Sequence, residues 1–200
     1  MSFSPRMTRP AADDINYVLY PSGYSRFGYL QVYPQGNCTG YAYGRMNECA
    51  GQSLYSDFYI TQLPGHGKQW IYNSWPDQTF TSGDIDIKLG DVLVYGAPAN
   101  KFGHVEVVEK ISADRSTLTT SYSVYSDTYA TGQRFATRTI SYPTWSSVLG
   151  TWYDNSGNPH TYTNPFIGYI HNKYITEDAF RFAALAYRLK RRRKGIRFRR

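Results

Sequence analysis

From residue 84 onward, apolar and polar side chains alternate with a period of two. "DIDIKLGDVLVYG", "HVEVVEKI", "STLTTSYSVY", "ATRTISY" and "FIGYIHN" are five short runs rich in β-branched and aromatic residues. Clusters such as "SADRS" and "DNSGNP" punctuate them, as turns between strands do. The earlier half is patterned differently. "CTGYAYGRMNECA" (38–50) predicts a short helix ended by Gly51, with Gly40 and Gly44 lowering its propensity. "GKQWIYNSW" (67–75) predicts a second helix stopped at Pro76. Helices followed by an antiparallel sheet make an α+β domain.

The two ends stand apart from this domain. Residues 1–15, with Pro5, Pro10 and few apolar side chains, read as an arm, and residues 16–174 as the domain proper. Within residues 175–200, Thr176 caps a helix whose first turn carries Glu177 and Asp178. Phe182, Leu185, Ala186 and Leu189 then fall at i, i+3, i+4 and i+7, so this helix is amphipathic.

Charge sharpens that division. The net charge of +7 over 200 residues comes from the C-terminus. From Arg188 to Arg200, "RLKRRRKGIRFRR" holds nine of the 22 Lys and Arg and no acid. The rest of the chain is near neutral. Such a tail suits anionic polymers or membrane surfaces, nucleic-acid phosphates, or docking into a larger assembly. With 41 % apolar and 17 % aromatic residues, 20 of them tyrosine, the composition is that of a folded, β-leaning protein. No stretch approaches the roughly 20 apolar residues of a membrane span. "MSFSPRMTRPAADD" lacks the apolar core of a signal peptide, so synthesis in a cytoplasm is expected.

The chemistry concentrates on Cys38, one of two cysteines. A disulfide with Cys49 does not suit one helix, along which the two lie roughly 16 Å apart, against a Cα limit of about 7 Å. Neither cysteine belongs to a C-x-x-C unit, and Asp84, Asp86 and Asp91 lack the D-x-D-x-D-G spacing of a calcium loop, so no metal or cofactor is expected. Cys38 follows a Gly36-Asn37 turn at a helix start, where free N–H groups and the dipole favour a thiolate. Packing as a small hydrophobe is the competing reading. Cys49 reads as a packed residue, and Trp70, Trp75 and Tyr95 as core more readily than as a substrate groove.

A nucleophilic cysteine needs a histidine base. His66 and His160 lie in loop-like stretches, and His171 at a strand end is ambiguous. His104 opens "HVEVVEKI" beside Gly103, on a strand expected to neighbour "GDVLVYG".

"GNCTGYAYGR", "GHGKQW", "GDVLVYG…GHVEVVEKI" and "FIGYI", in this order and spacing, resemble the CHAP domain, the cysteine, histidine-dependent amidohydrolase/peptidases of bacteriophage lysins and cell-wall hydrolases. The resemblance runs from about residue 15 to 172. It implies a papain-like α+β fold in which N-terminal helices pack on a twisted antiparallel sheet, here with a C-terminal basic helical tail. It also implies cleavage of a peptidoglycan amide, in the stem peptide, in the cross-bridge, or between muramic acid and L-alanine. Carried over, Cys38 is the nucleophile and His104 the base. The Cys38 backbone N–H, with the Asn37 or Gln35 side chain, would hold the oxyanion.

One position departs from the family. An acid usually stands on the strand after the histidine strand to orient the imidazole, and here that stretch, "TTSYSVY", offers Tyr122 and Val124. Ser121, Tyr122 or Ser123 would take the role, or Glu106 from two residues along the histidine strand; without any of them the pair would act as a dyad. The expected function is a phage peptidoglycan hydrolase of a Gram-positive host, a virion-associated lysin or an endolysin. It would be made in the host cytoplasm and used in the virion or at the host wall. The competing class is a structural virion or DNA-associated component that keeps the scaffold with reduced or lost activity.

Overall fold

The computed structural model describes residues 3–11, 14, 16–17, 38–50, 67–73, 76–96, 102–123, 135–153, 159–161, 163–173 and 175. Gln35, Asn37, His66, Trp75, Val124 and the basic tail (176–200) lie outside them.

The architecture is α+β. Helix α1 (Cys38–Ala50) is followed by a 3-10 turn (Gly67–Gln69), a four-residue helix α2 (Trp70–Asn73) and a second 3-10 turn (Pro76–Gln78). Eight strands follow: β1 (Thr79–Phe80), β2 (Val92–Tyr95), β3 (His104–Ile111), β4 (Thr117–Ser123), β5 (Phe135–Ser141), β6 (Thr151–Tyr153), β7 (Pro159–Thr161) and β8 (Phe166–Ile170). Six form an antiparallel sheet in the order β1-β8-β2-β3-β4-β5, and β6 pairs with β7 separately. Among the described residues, no helix is long and apolar enough to cross a membrane.

Both faces of the sheet are covered. On one, Tyr41, Ala42 and Met46 of α1, with Trp70 and Ile71 of α2, pack on Val92, Val94, Val105, Val107 and Ile170. On the other, Leu93, Tyr95, Val108, Leu118, Phe166 and Tyr169 meet Ile87 and Leu149, with Trp145 stacked on Phe166. Trp70 and Tyr95 are therefore core, as their types suggested.

The alternation over residues 84–91 makes no strand. Ile87 is buried, but three successive backbone donors of this stretch, at Asp86, Ile87 and Lys88, go to side chains. Asp86 N–H donates to the Tyr169 hydroxyl, Ile87 N–H to the Tyr142 hydroxyl and Lys88 N–H to Asp91 Oδ2. Two-residue strand β1 was not anticipated, and the predicted helix 67–75 starts instead as a 3-10 turn.

The N-terminal segment lies against the domain. Arg6 pairs with Glu48 and Asp14, and its N–H donates to Glu109 Oε2 at 2.8 Å. The Tyr17 hydroxyl donates to Glu48 at 2.7 Å, and Arg45 Nη2 donates to the Ser4 carbonyl.

Candidate active site around Cys38

Cys38 is the first residue of α1, whose first turn carries no acidic side chain to oppose an anion there. Burial alone would push its thiol up. The His104 charge and hydrogen bond, together with hydrogen bonds from the Val105 and Thr39 backbone, outweigh burial and hold the thiol below the usual range. Cys38 itself is half-buried.

His104 opens β3 at the end where it pairs with Tyr95 of β2. The approach to it is built on Gly103, at φ 69°, a left-handed backbone that glycine adopts freely. A Cβ there would lie 2.5 Å from the Tyr95 carbonyl oxygen and 2.7 Å from Lys68 Cβ. The 3-10 turn Gly67–Gln69 thus braces the strand start, with Lys68 N–H donating to the Phe102 carbonyl. Gly103→Ala is expected to cost about 1–3 kcal/mol and to lower activity through displaced His104. Denaturant unfolding and turnover check it together.

His104 is 12 % exposed, and its Nε2 lies 3.3 Å from Glu106 Oε1. That leaves the other ring nitrogen, Nδ1, for the thiol. Burial would lower the imidazole's pKa, but the charges and hydrogen bonds of Cys38 and then Glu106 outweigh it and push it up to about 9. Each partner thus favours the charged form of the other.

Of the candidate orienters, Glu106 is the one at ion-pair distance. It reaches the ring because residues two apart on a strand share a face. Burial would raise its carboxyl, yet the Arg138 charge, His104 and the Thr120 hydroxyl together hold it down. Thr120 Oγ1 donates to Oε2 at 2.7 Å. Arg138 Nη2 lies 2.7 Å from Oε1, and both cations approach that oxygen off the line of a regular hydrogen bond. Tyr122 meets His104 edge-on, with ring centroids 5.4 Å apart. Ser123 is buried on the same strand, and Ser121 belongs to a different network, accepting from Tyr41 and donating to Glu109.

The remaining histidines lie elsewhere. His171 pairs with buried Asp91 at 2.7 Å, beyond Ile170, at the opposite end of β2 from His104. His160 lies in β7. Burial pushes the Cys49 thiol up to about 12, so it stays a packed thiol. Among the described residues, no three His, Cys, Asp or Glu side chains gather as a metal site.

Arg138 and Thr120 were not singled out from sequence. A signal exists in "ATRTISY": Arg138 shares its strand face with Ala136 and Ile140, and a charge at that parity needs a buried partner.

Residues 28–123 match the family model of the CHAP domain. No curated protein matches the chain. Among solved structures it is similar to "The crystal structure of Ly7917", at 19 % identity over 68 % of this chain and 53 % of that one, with a TM-score of 0.38. It is also similar to "The crystal structure of Ly7917 with the hydrolyzing product of MDP", at 16 % identity over 52 % and 55 %, with a TM-score of 0.29. The chain thus spans about half the length of these solved chains. The order and spacing around Cys38 and His104 agree with the family match, which spans a little under half of this chain.

Proposed function

We propose that the protein hydrolyses an amide bond of Gram-positive peptidoglycan by Cys–His nucleophilic catalysis. One observation carries the proposal: the thiol at the start of α1 is hydrogen-bonded to His104, whose far nitrogen faces buried Glu106. The Cys38 thiolate attacks the amide carbonyl, and the oxyanion forms where the Cys38 backbone N–H can donate to it. Imidazolium His104 protonates the leaving amine, giving a thioester at Cys38. Neutral His104 then takes a proton from water, which attacks the thioester; the acid departs and the thiolate–imidazolium pair returns. Glu106 keeps the ring turned toward the sulfur and supports its positive charge.

The setting proposed with this chemistry is a phage lysin, packed in the virion or released at lysis, with the basic segment 188–200 adding salt-sensitive attraction to anionic wall polymers. A zymogram on Gram-positive walls tests the function. Clearing by the wild type and none by Cys38→Ala is expected. No clearing by either would favour the structural virion role.

Two further outcomes follow from the site. Turnover should form a bell against pH. Its acid limb lies below an ordinary thiol's range because His104 favours the thiolate, and its alkaline limb near 9 marks loss of the imidazolium proton. An alkaline limb near an unperturbed histidine's value would contradict the pair. Glu106→Gln should lower turnover at least about 100-fold while Cys38 remains alkylatable. Unchanged turnover would remove Glu106 from the site.

A further inference from the structure

Arg138 reaches the centre from β5, two strands from His104 in the sheet order. The register brings it there: Arg138 faces Thr120 across β4–β5, and Thr120 faces Val108 across β3–β4. Its guanidinium takes both oxygens of Glu106, Nη2 at 2.7 Å from Oε1 and Nε donating to Oε2 at 3.2 Å. It also lies 5.7 Å over the Tyr122 ring, the ring that His104 meets edge-on. The Tyr95 hydroxyl of β2 is a further hydrogen-bond partner. A fork held at this many points has one orientation, and its planar geometry matches a carboxylate as an ammonium does not.

The charges facing the site can be counted. A thiolate at Cys38 and a carboxylate at Glu106 are two anions; the His104 imidazolium and Arg138 are two cations. Tyr95 and Thr120 face them with hydroxyls and Tyr122 with its ring, and Lys68 stands on the 3-10 turn against Gly103. We propose that Arg138 is a positioning residue that clamps Glu106 against His104 and balances the buried charges, so that the Cys38 thiolate persists into mildly acidic solution. This rests on the Cys38–His104 pair acting as proposed above.

The consequence is specific. Without Arg138 the thiolate, imidazolium and carboxylate carry a net charge of −1 in a place where unpaired charge is costly. The cluster answers by binding a proton near neutral pH, at the thiolate or at the carboxylate. Removing Glu106 and Arg138 together deletes one charge of each sign and leaves the thiolate–imidazolium pair balanced. A purely structural arginine predicts the opposite, since losing both partners then harms the site at least as much as losing one.

The experiment is alkylation of the full chain by iodoacetamide between pH 5 and 9, following the Cys38 peptide by mass spectrometry. Wild-type Cys38 should react at pH 6 nearly as fast as at pH 8. Arg138→Met should slow the reaction at pH 6 by about tenfold, the effect of one unit of pKa, and recover above pH 8. Arg138→Lys should keep most of the wild-type rate at pH 6, and Glu106→Gln/Arg138→Met should return close to it. If Arg138→Met fails to fold, the double variant, which buries no unpaired charge, carries the test on its own. A wild-type profile in Arg138→Met, or a double variant slower at pH 6 than the wild type by tenfold, would overturn the proposal alone. A wild-type Cys38 reacting only as an ordinary thiol would overturn the pair and the proposal with it.

Discussion

Cys38→Ala is expected to remove wall-lytic activity, by on the order of 10⁶-fold in turnover, the scale seen when a nucleophile is taken from a nucleophile–base unit. His104→Ala should cost nearly as much. The double variant should cost no more than either, because the thiolate and its base act as one device. The substitution at Cys38 is small, the residue is half-buried, and the helix start it occupies tolerates alanine. Its melting temperature should therefore stay within a few degrees of the wild type. Dye release from labelled walls, read beside a melting curve, separates loss of chemistry from loss of fold. Residual lysis by Cys38→Ala at more than about one thousandth of the wild-type rate would mean another group does the work.

The largest effect on stability is expected from Arg45→Met. Arg45, on α1, is buried, and its Nε and Nη2 each donate at 2.8 Å to the two oxygens of Glu109, which has no exposed surface. Glu109 shares strand parity with Val105 and Val107, which pack on α1, so its carboxylate faces the helix. Ser121 Oγ and the Arg6 N–H complete its partners. Removing the guanidinium leaves a buried carboxylate short of its main counter-charge, which costs about 3–5 kcal/mol. For a chain of this size that lowers the melting temperature by about 6–20 °C. The same cut loosens α1 on the sheet, and with it the placement of Cys38. Partial recovery in Arg45→Met/Glu109→Leu, measured by denaturant unfolding, would identify the unpaired charge rather than lost packing as the cause. A loss under about 1 kcal/mol in Arg45→Met would show that the pair contributes little.

Much of this was legible along the chain, and the exceptions have physical reasons. Helix α1 spans the residues its pattern indicated, although Gly44 argued against it. That glycine has a tertiary purpose: a Cβ there would lie 2.4 Å from the Tyr17 ring, which packs directly on the helix backbone. Strands β3, β4, β5 and β8 coincide with their alternating runs to within a few residues. Residues 84–91 alternate as cleanly, but alternation reports which side chains are inward, not where the backbone donors go. Tyr142, Tyr169 and Asp91 supply acceptors that a strand would have found in a neighbour.

In the site, Cys38 and His104 stood out because helix start and strand start are local signals. Glu106 was one of several candidates, since strand parity places it on the face of His104 but does not reveal the tilt of the ring. Arg138 and Thr120 depend on register across three strands, which local patterning does not encode. Arg45 and Glu109 pair across 64 positions for the same reason.

The central claim is that Cys38 hydrolyses an amide of the wall. Mass spectrometry of purified Gram-positive peptidoglycan after digestion tests it most directly, because new chain ends identify the broken bond. The account predicts new amine and carboxylate ends in the wild-type digest and none with Cys38→Ala. Cleavage at glycosidic bonds, or equal amide cleavage by Cys38→Ala, would contradict it.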